Sequence, residues 1–242
     1  MSKPRTDLPP VLAFGAHPDD IEFGCGGVIA RETRAGRPAH FVVCSHGESG
    51  SRGTPSGRSA EARKAAAVLG ATLEFVRLDG DAQLDVKAKH ALALAAIIRR
   101  VRPGIILAPT LAGNQHPDHV KLGRIVRDAA RLARYGGVAR LRPRAAHAIG
   151  ALLHYAVTPE AEPEGALPVV IDISEPEVIA AWTAAMGAHA SQLSFRGHSE
   201  LQLARARVHG LRAGVAYAQA LYPNDPLVFG SLADLPGSAR RF

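Results

Sequence analysis

Short apolar runs alternate with amphipathic segments along most of the chain. The apolar runs are typical of buried strands, and they lie at residues 11–16, 40–44, 74–78, 104–108, 150–157 and 169–173. Between them, apolar residues recur at the spacing of one helix face, most clearly at Ala62, Ala65, Ala66 and Leu69. Strands that alternate with helices predict an α/β fold, with a mostly parallel sheet covered on both faces.

The ends of several helices are marked by residues that start or stop them. A helix is expected to open at Gly24–Gly27 and to stop at Gly36, because glycine is common just past a helix end. Ser174–Glu177 reads Ser-Glu-Pro-Glu, which predicts a capping box at the start of a later helix. Two further helices are expected at residues 118–134 and 199–217.

The composition is that of an ordinary globular protein, with 47% hydrophobic and 21% charged residues. No linker or repeat divides the chain, so we expect one domain over 1–242, with a core at about 11–222 and a tail at 223–242. No apolar run approaches the ~20 residues that span a bilayer, and no signal peptide is evident. We therefore expect a cytoplasmic protein without a membrane partner. Cys25 and Cys44 are expected to be structural thiols.

The chain is strongly basic, with a formal net charge of +7 at pH 7. Four arginines share one face of the predicted helix at 118–134, and they are Arg124, Arg127, Arg131 and Arg134. Such a face can be solvated, contact another subunit or attract an anionic partner. Aromatic residues are only 5% of the chain, which disfavours a surface for base stacking. We expect no nucleic-acid partner, and a nucleic-acid-binding protein with a structural metal is the remote alternative.

Two similar polar segments follow the first and fourth predicted strands. Residues 16–22 read Ala-His-Pro-Asp-Asp-Ile-Glu, and residues 114–119 read Asn-Gln-His-Pro-Asp-His. Ligands of a parallel sheet bind beyond the carboxyl ends of its strands, so both segments fall where a site is expected. Imidazole and carboxylate ligands suit Zn²⁺, and His17, Asp20 and His119 could supply the three protein ligands of a catalytic site.

The other polar residues of these segments have two interpretations. Asp19 and His116 would remain beside the metal as acid–base groups, which a metallohydrolase needs. Asp118 lies where a helix N-cap belongs, and a capping role is the plain alternative for it.

These motifs resemble a known family. Residues 16–20 and 116–119 are similar to the two signature motifs of the PIG-L-type (LmbE-like) zinc-dependent N-deacetylases. The polar loop Gly47–Thr54 and the helix Glu61–Gly70 resemble the branch of bacillithiol-biosynthesis deacetylases, which act on N-acetylglucosaminyl malate. Two further segments also resemble that branch, and they are Ile171–Ser174 and Ala188–Gln192. The resemblance extends over about residues 11–230.

The resemblance implies a fold and a metal site. It implies a Rossmann-like three-layer sandwich and a homo-oligomer, such as a hexamer. It implies one Zn²⁺ per chain, bound by His17, Asp20 and His119, with Asp19 as general base. The activity it implies is hydrolytic removal of the acetyl group from an N-acetylglucosamine conjugate.

The resemblance also assigns roles near the substrate. His116 is expected to stabilise charge at the substrate carbonyl, Asp118 to tune His116, and Arg52 to polarise the acetyl carbonyl. His46 and His189 could also line the pocket. The alternative substrates on the same site are a glucosaminyl-inositol conjugate, a chito-oligosaccharide or a thiol conjugate. Residues 158–168 match no pattern, so substrate choice is left open there.

Overall fold

The computed structural model describes residues 8–193, 197–235 and 237–238. Their strands form one seven-stranded sheet in the order β3-β2-β1-β4-β5-β7-β6. β1 to β5 are parallel to one another, and β7 runs antiparallel to both β5 and β6. The strands are β1 Val11–Gly15, β2 Ala39–Val43, β3 Thr72–Phe75, β4 Ile105–Pro109, β5 Ala151–Tyr155, β6 Val169–Asp172 and β7 Ala218–Pro223.

Helices cover both faces of this sheet, which confirms the predicted α/β sandwich. One apolar core joins the sheet to α1, α2, α5 and α7, and the other joins it to α3 and α4. The alternation along β1 shows the division, because Val11 and Ala13 enter the first core while Leu12 and Phe14 enter the second. The helices are α1 Asp20–Arg34, α2 Pro55–Val68, α3 Ala88–Val101, α4 Pro117–Arg134, α5 Pro176–Gly187, α6 Ala190–Leu193 and α7 His198–Ala213.

Two strands differ from the sequence prediction. β3 lies at Thr72–Phe75 and not at 74–78, because its pairing with β2 sets its position. β7 was not predicted, because the last helix was expected to end at residue 217 and residues 218–223 were assigned to no element. That helix ends at Ala213, where Gly214 has a φ of 74° that closes the helix in the usual way. The chain then turns back and β7 fills the place between β5 and β6.

One helix start and one helix cap also differ from the prediction. α1 begins at Asp20, several residues before Gly24, and Cys25 has non-helical angles that kink it. The predicted start at Gly24–Gly27 therefore lies at this kink. α5 begins at Pro176, inside the segment where a helix start was predicted, but the capping box was wrong because this helix has no side-chain cap. The Ser174 hydroxyl instead bonds the main chain of Tyr217.

The cysteines and the helix lengths agree with expectation. Cys25 and Cys44 are free and buried. No helix in the described part of the chain is both long and apolar enough to cross a membrane. The predicted N-terminal residues 1–7, and part of the predicted tail, lie outside the described residues.

Candidate metal centre and active site

The two polar motif segments meet because β1 and β4 are neighbours in the sheet. Their register pairs Ala13 with Leu107, so both strands end at the same edge. The segment after β1 leads into α1, and the segment after β4 leads into α4. The sheet therefore brings together predicted site residues that are 102 positions apart in the chain, as for His17 and His119.

The three predicted metal ligands lie around one point. His17 Nδ1 is 3.2 Å from His119 Nε2 and 3.6 Å from Asp20 Oδ2. His119 Nε2 is 3.0 Å from Asp20 Oδ1. Ligand atoms of a tetrahedral site with bonds of ~2.1 Å are about 3.4 Å apart, so the spacing fits a small cation.

The ionisable side chains of this cluster are buried, and they shift one another's pKa values. Burial alone would lower the pKa of His17, but Asp20, followed by Asp118 and Asp81, raises it to about 12. Burial opposes ionisation of Asp20 as well, yet His119 and His17 hold the pKa of Asp20 well below its usual range. A cluster of buried carboxylates favours a positive charge among them, which a divalent cation would supply.

Unpaired atoms in the cluster support the same conclusion. Three atoms are buried without a hydrogen-bond partner, and they are Nε2 of His17, Nδ1 of His119 and Oδ1 of Asp118. Two overlapping groups of side chains are close enough to share a cation, and both contain His17. One adds His116 and His119, and the other adds Asp81 and Asp118. The residues present therefore fit a metal ion.

Asp19 lies at the start of α1 beside this cluster. Its φ of 115° is in the left-handed region, which is costly for a residue with a side chain. Arg58, buried in α2, lies beside the Asp19 carboxylate, with Nη2 at 3.4 Å from Oδ2. The same guanidinium donates to the carbonyls of Pro18 and Gly47. Arg58 thus ties the motif segment to the loop after β2.

The environment of Asp19 suits a proton acceptor. Burial and the neighbouring Asp20 raise the pKa of Asp19 to about 6, against the opposing effect of Arg58. His189 is buried as well, and its Nε2 lies 3.4 Å from Glu22 Oε1. Burial opposes its charged form, but Glu22 and Asp19 raise the pKa of His189. A carboxylate with a pKa near the working pH can take and return a proton.

The N-terminus of α4 is capped by His116 and not by Asp118. His116 is the N-cap of α4, and its Nδ1 accepts a hydrogen bond from the Asp118 main-chain N at 3.2 Å. Asp118 lies inside the helix, so the capping interpretation was wrong for it. Its Oδ2 accepts from Ala82 N at 2.8 Å and lies 3.5 Å from His17 Nε2. The carboxylate therefore faces His17.

The structure adds two residues that sequence reasoning missed, Asp81 and Arg58. Asp81 is buried, and its Oδ1 lies 3.0 Å from His17 Nε2. The predicted Arg52 is exposed in the loop after β2, and Gln192 donates to its main-chain carbonyl. His46 stacks on Phe75, away from the cluster. No pattern in the sequence singled out either Arg58 or Asp81.

A cavity of about 480 Å³ opens beside Asp19. Its wall combines apolar side chains such as Phe23 with polar ones such as Gln192. Thr158 and Glu160 also line it, so the segment that matched no sequence pattern borders the site. This volume accommodates a small ligand in contact with the predicted base.

Comparison with known proteins identifies the family. The family model described as "PIG-L: GlcNAc-PI de-N-acetylase" matches residues 12–130, which contain both motif segments. The solved structure of the conserved protein TT1542 from Thermus thermophilus is similar over 92% of this chain and 97% of its own, with a TM-score of 0.81 and 30% identity. The chain belongs to the PIG-L family.

Curated relatives of this PIG-L protein carry two kinds of name. Diacetylchitobiose deacetylase of Thermococcus kodakarensis is 30% identical over 62% of this chain and 62% of its own length. 4-Oxalmesaconate hydratase of Pseudomonas putida is 29% identical over 52% of this chain and 53% of its own. The matched region thus spans between half and two thirds of these relatives. Membership of the PIG-L family does not by itself choose between deacetylation and hydration.

Proposed function

We propose that this PIG-L protein is a zinc-dependent hydrolase that removes the acetyl group from an N-acetylglucosamine conjugate. The observation that carries the proposal is the cluster of His17, Asp20 and His119 with Asp19 beside it, at the edge of a cavity. The name of the family model and that of the deacetylase relative support the same activity.

The cation would be held by His17, Asp20 and His119. When bound, Zn²⁺ supplies a Lewis acid that polarises a carbonyl and lowers the pKa of water toward ~7. Asp20 is poorly suited to proton transfer. One of its oxygens already accepts from Ala16 N at 2.8 Å and from His17 N at 2.9 Å.

Asp19 is the residue that moves the proton. Its raised pKa and its position at the cavity suit it to accept a proton from the attacking water and to pass it to the leaving amine. Arg58 holds the Asp19 carboxylate and the preceding turn in place. The strained φ at Asp19 is consistent with a side chain that is directed at the substrate.

His116 and Arg52 would stabilise the negative charge on the acetyl oxygen. Nδ1 of His116 accepts a main-chain hydrogen bond, so in the neutral ring the proton is on Nε2. Nε2 can then donate to the oxygen atom as charge develops there. Burial, with the nearby His17 and His119, lowers the pKa of His116 and so favours this neutral form.

For the substrate, N-acetylglucosaminyl malate is our first candidate, as in the bacillithiol branch that loop 47–54 resembles. An anionic aglycone would suit a chain with a net charge of +7 and an exposed arginine in that loop. The alternatives are chito-oligosaccharides, an N-acetylglucosaminyl-inositol conjugate and an amide of a thiol conjugate. The test is acetate release from each of these by the zinc-loaded protein.

The same assay separates deacetylation from hydration. Release of acetate and a free amine in equal amounts from one glycoside supports the proposal. No acetate from any glycoside, together with hydration of 4-oxalmesaconate, would overturn it. The variant His119→Ala, which lacks one proposed ligand, is the control for contaminating activity.

A further inference from the structure

One ring nitrogen of His17 lies among carboxylates. Its Nε2 is 3.0 Å from Asp81 Oδ1 and 3.5 Å from Asp118 Oδ2. A nitrogen in this place carries the proton, because a lone pair there would face two negatively charged oxygens. The neutral ring of His17 then has its lone pair on Nδ1, which is 3.2 Å from His119 Nε2. The carboxylates thus decide which nitrogen of His17 can bind a cation.

Asp81 is the nearer of the two carboxylates, and hydrogen bonds with Ser49 and Glu48 hold it in place. Its Oδ2 accepts from Ser49 N at 2.9 Å, and its main-chain carbonyl accepts from the Ser49 hydroxyl at 2.9 Å. Its own main-chain N donates to Glu48 at 3.3 Å. The side chain is only 6% exposed, so it presents little surface to a substrate. The remaining oxygen, Oδ1, points to His17.

We infer that Asp81 is a positioning residue of the metal centre. Its Oδ1, 3.0 Å from Nε2, favours the tautomer of His17 with the proton on Nε2, helps to orient the ring, and makes Nδ1 a stronger ligand. The inference rests on the proposed function only in taking His17, Asp20 and His119 as the ligands. Metal-binding histidines commonly donate their other N–H to such a carboxylate, and its removal typically costs about 10–100-fold in metal affinity.

The contacts of Asp81 extend this role to the loop after β2. Ser49 and Glu48 belong to loop 47–54, which resembles a substrate loop. Since both form hydrogen bonds with Asp81, this one residue contacts both the loop and the proposed metal ligand His17. A change at Ser49 that releases Asp81 is therefore expected to weaken metal binding without touching a metal ligand.

The competing arrangement uses the other nitrogen. His17, Asp81 and Asp118 are themselves close enough to share a cation, which would then be bound through Nε2. In that case Asp81 is a ligand and Asp20 is dispensable for metal binding. The two arrangements differ in which nitrogen of His17 keeps its proton.

Zinc affinity, measured by competition with a chromophoric chelator, tests the inference. We expect Asp81→Ala to weaken Zn²⁺ binding about 10–100-fold. Asp20→Ala is expected to lose more, because it removes a ligand. Asp79→Asn is the matched control, since Asp79 lies in the same segment but pairs with Lys87 and His90. Its affinity should be unchanged, and thermal melts of the metal-free variants report whether each one folds.

Nitrogen NMR of ¹⁵N-histidine-labelled protein gives the second measurement. In the zinc form we expect His17 to keep its proton on Nε2, with the shift of a coordinated nitrogen at Nδ1. Coordination through Nε2, wild-type affinity in Asp81→Ala, or an equal loss in Asp79→Asn would each overturn the inference. Neither measurement uses turnover, so a protein that binds zinc this way and releases no acetate would refute only the proposed function.

Discussion

Asp19 and Asp20 are neighbours in sequence with opposite environments. Asp20 accepts two main-chain hydrogen bonds and faces two histidines, which keep it ionised. Asp19 lies beyond the helix end with a raised pKa and borders the cavity. The left-handed backbone at Asp19 turns the two carboxylates to different places. One residue can therefore serve the metal while the other serves the proton.

Replacement of Asp19 tests that division. Asp19→Asn is nearly isosteric and cannot take a proton, so kcat for acetate release should fall by about 10²–10⁴. Bound zinc, measured by atomic absorption, should stay at the wild-type level. Asp85→Asn, at an exposed acid outside the site, is the control and should leave both unchanged. Near-normal turnover in Asp19→Asn would assign the proton to another group.

The two arginines near the site should respond differently to replacement. Arg58 is buried and donates to the carbonyls of Gly47 and Pro18, so Arg58→Met should lower the free energy of unfolding by about 1–3 kcal/mol. It should also lower kcat, because Asp19 loses its neighbour. Arg52→Ala, at an exposed residue, should change stability by less than about 0.5 kcal/mol and alter only kcat or KM.

Urea unfolding and acetate-release kinetics on the same preparations measure these differences. If Arg52→Ala leaves kcat and KM unchanged on every substrate, Arg52 takes no part in the reaction. If Arg58→Met is as stable as the wild type, the two carbonyl contacts are not important for the fold.

At the scale of elements, α1 links the site to the sheet and to the helices beside it. It begins at the proposed metal ligand Asp20 and kinks at Cys25. Gly24 faces the ring of Tyr155, whose hydroxyl donates to Phe14 O at 2.7 Å in β1. A side chain at Gly24 would overlap that ring. Close approach of α1 to β5 thus depends on this glycine.

Gly24→Ala should therefore be costly. Overpacking against Tyr155 is expected to lower the free energy of unfolding by about 1–3 kcal/mol in urea titrations. Gly187→Ala, at the end of α5, meets open space and should be neutral or slightly stabilising, because alanine favours helix. Equal stability of Gly24→Ala and the wild type would mean that Tyr155 can move aside without loss.

At the scale of the whole molecule, the proposed metal centre joins distant parts of the chain. His17 follows β1, Asp81 follows β3, and His119 lies in α4. A cation bound by ligands from separate segments stabilises only the folded state. It also offsets repulsion among the buried carboxylates.

Metal removal should therefore lower stability. At free Zn²⁺ of about 100 times its Kd, the free energy of unfolding should exceed that of the metal-free protein by about 2.7 kcal/mol. Thermal melts with zinc and with a chelator measure this difference. His119→Ala should show a much smaller gain from zinc. An equal gain in His119→Ala would place the stabilising cation elsewhere.

Much of the fold and part of the site were readable from the sequence alone. The alternation of strand and helix patterns predicted the α/β sandwich, because each element must bury one face. The two His-Pro-Asp segments after strands predicted a shared site, since parallel strands end at one edge. These signals are local, because each is contained in a few consecutive residues or in the repeat of apolar residues along one helix or strand.

The tertiary structure decided the contacts between distant residues. It placed β7 between β5 and β6, in a segment whose own sequence predicted no element, because pairing with both neighbours sets the strand. It turned Arg58, and not Arg52, toward Asp19, because Arg58 is on the buried face of α2. It brought Asp81 to His17 from another strand end. No spacing along the chain encodes such a contact, because packing of the whole sheet sets the distance between those loops.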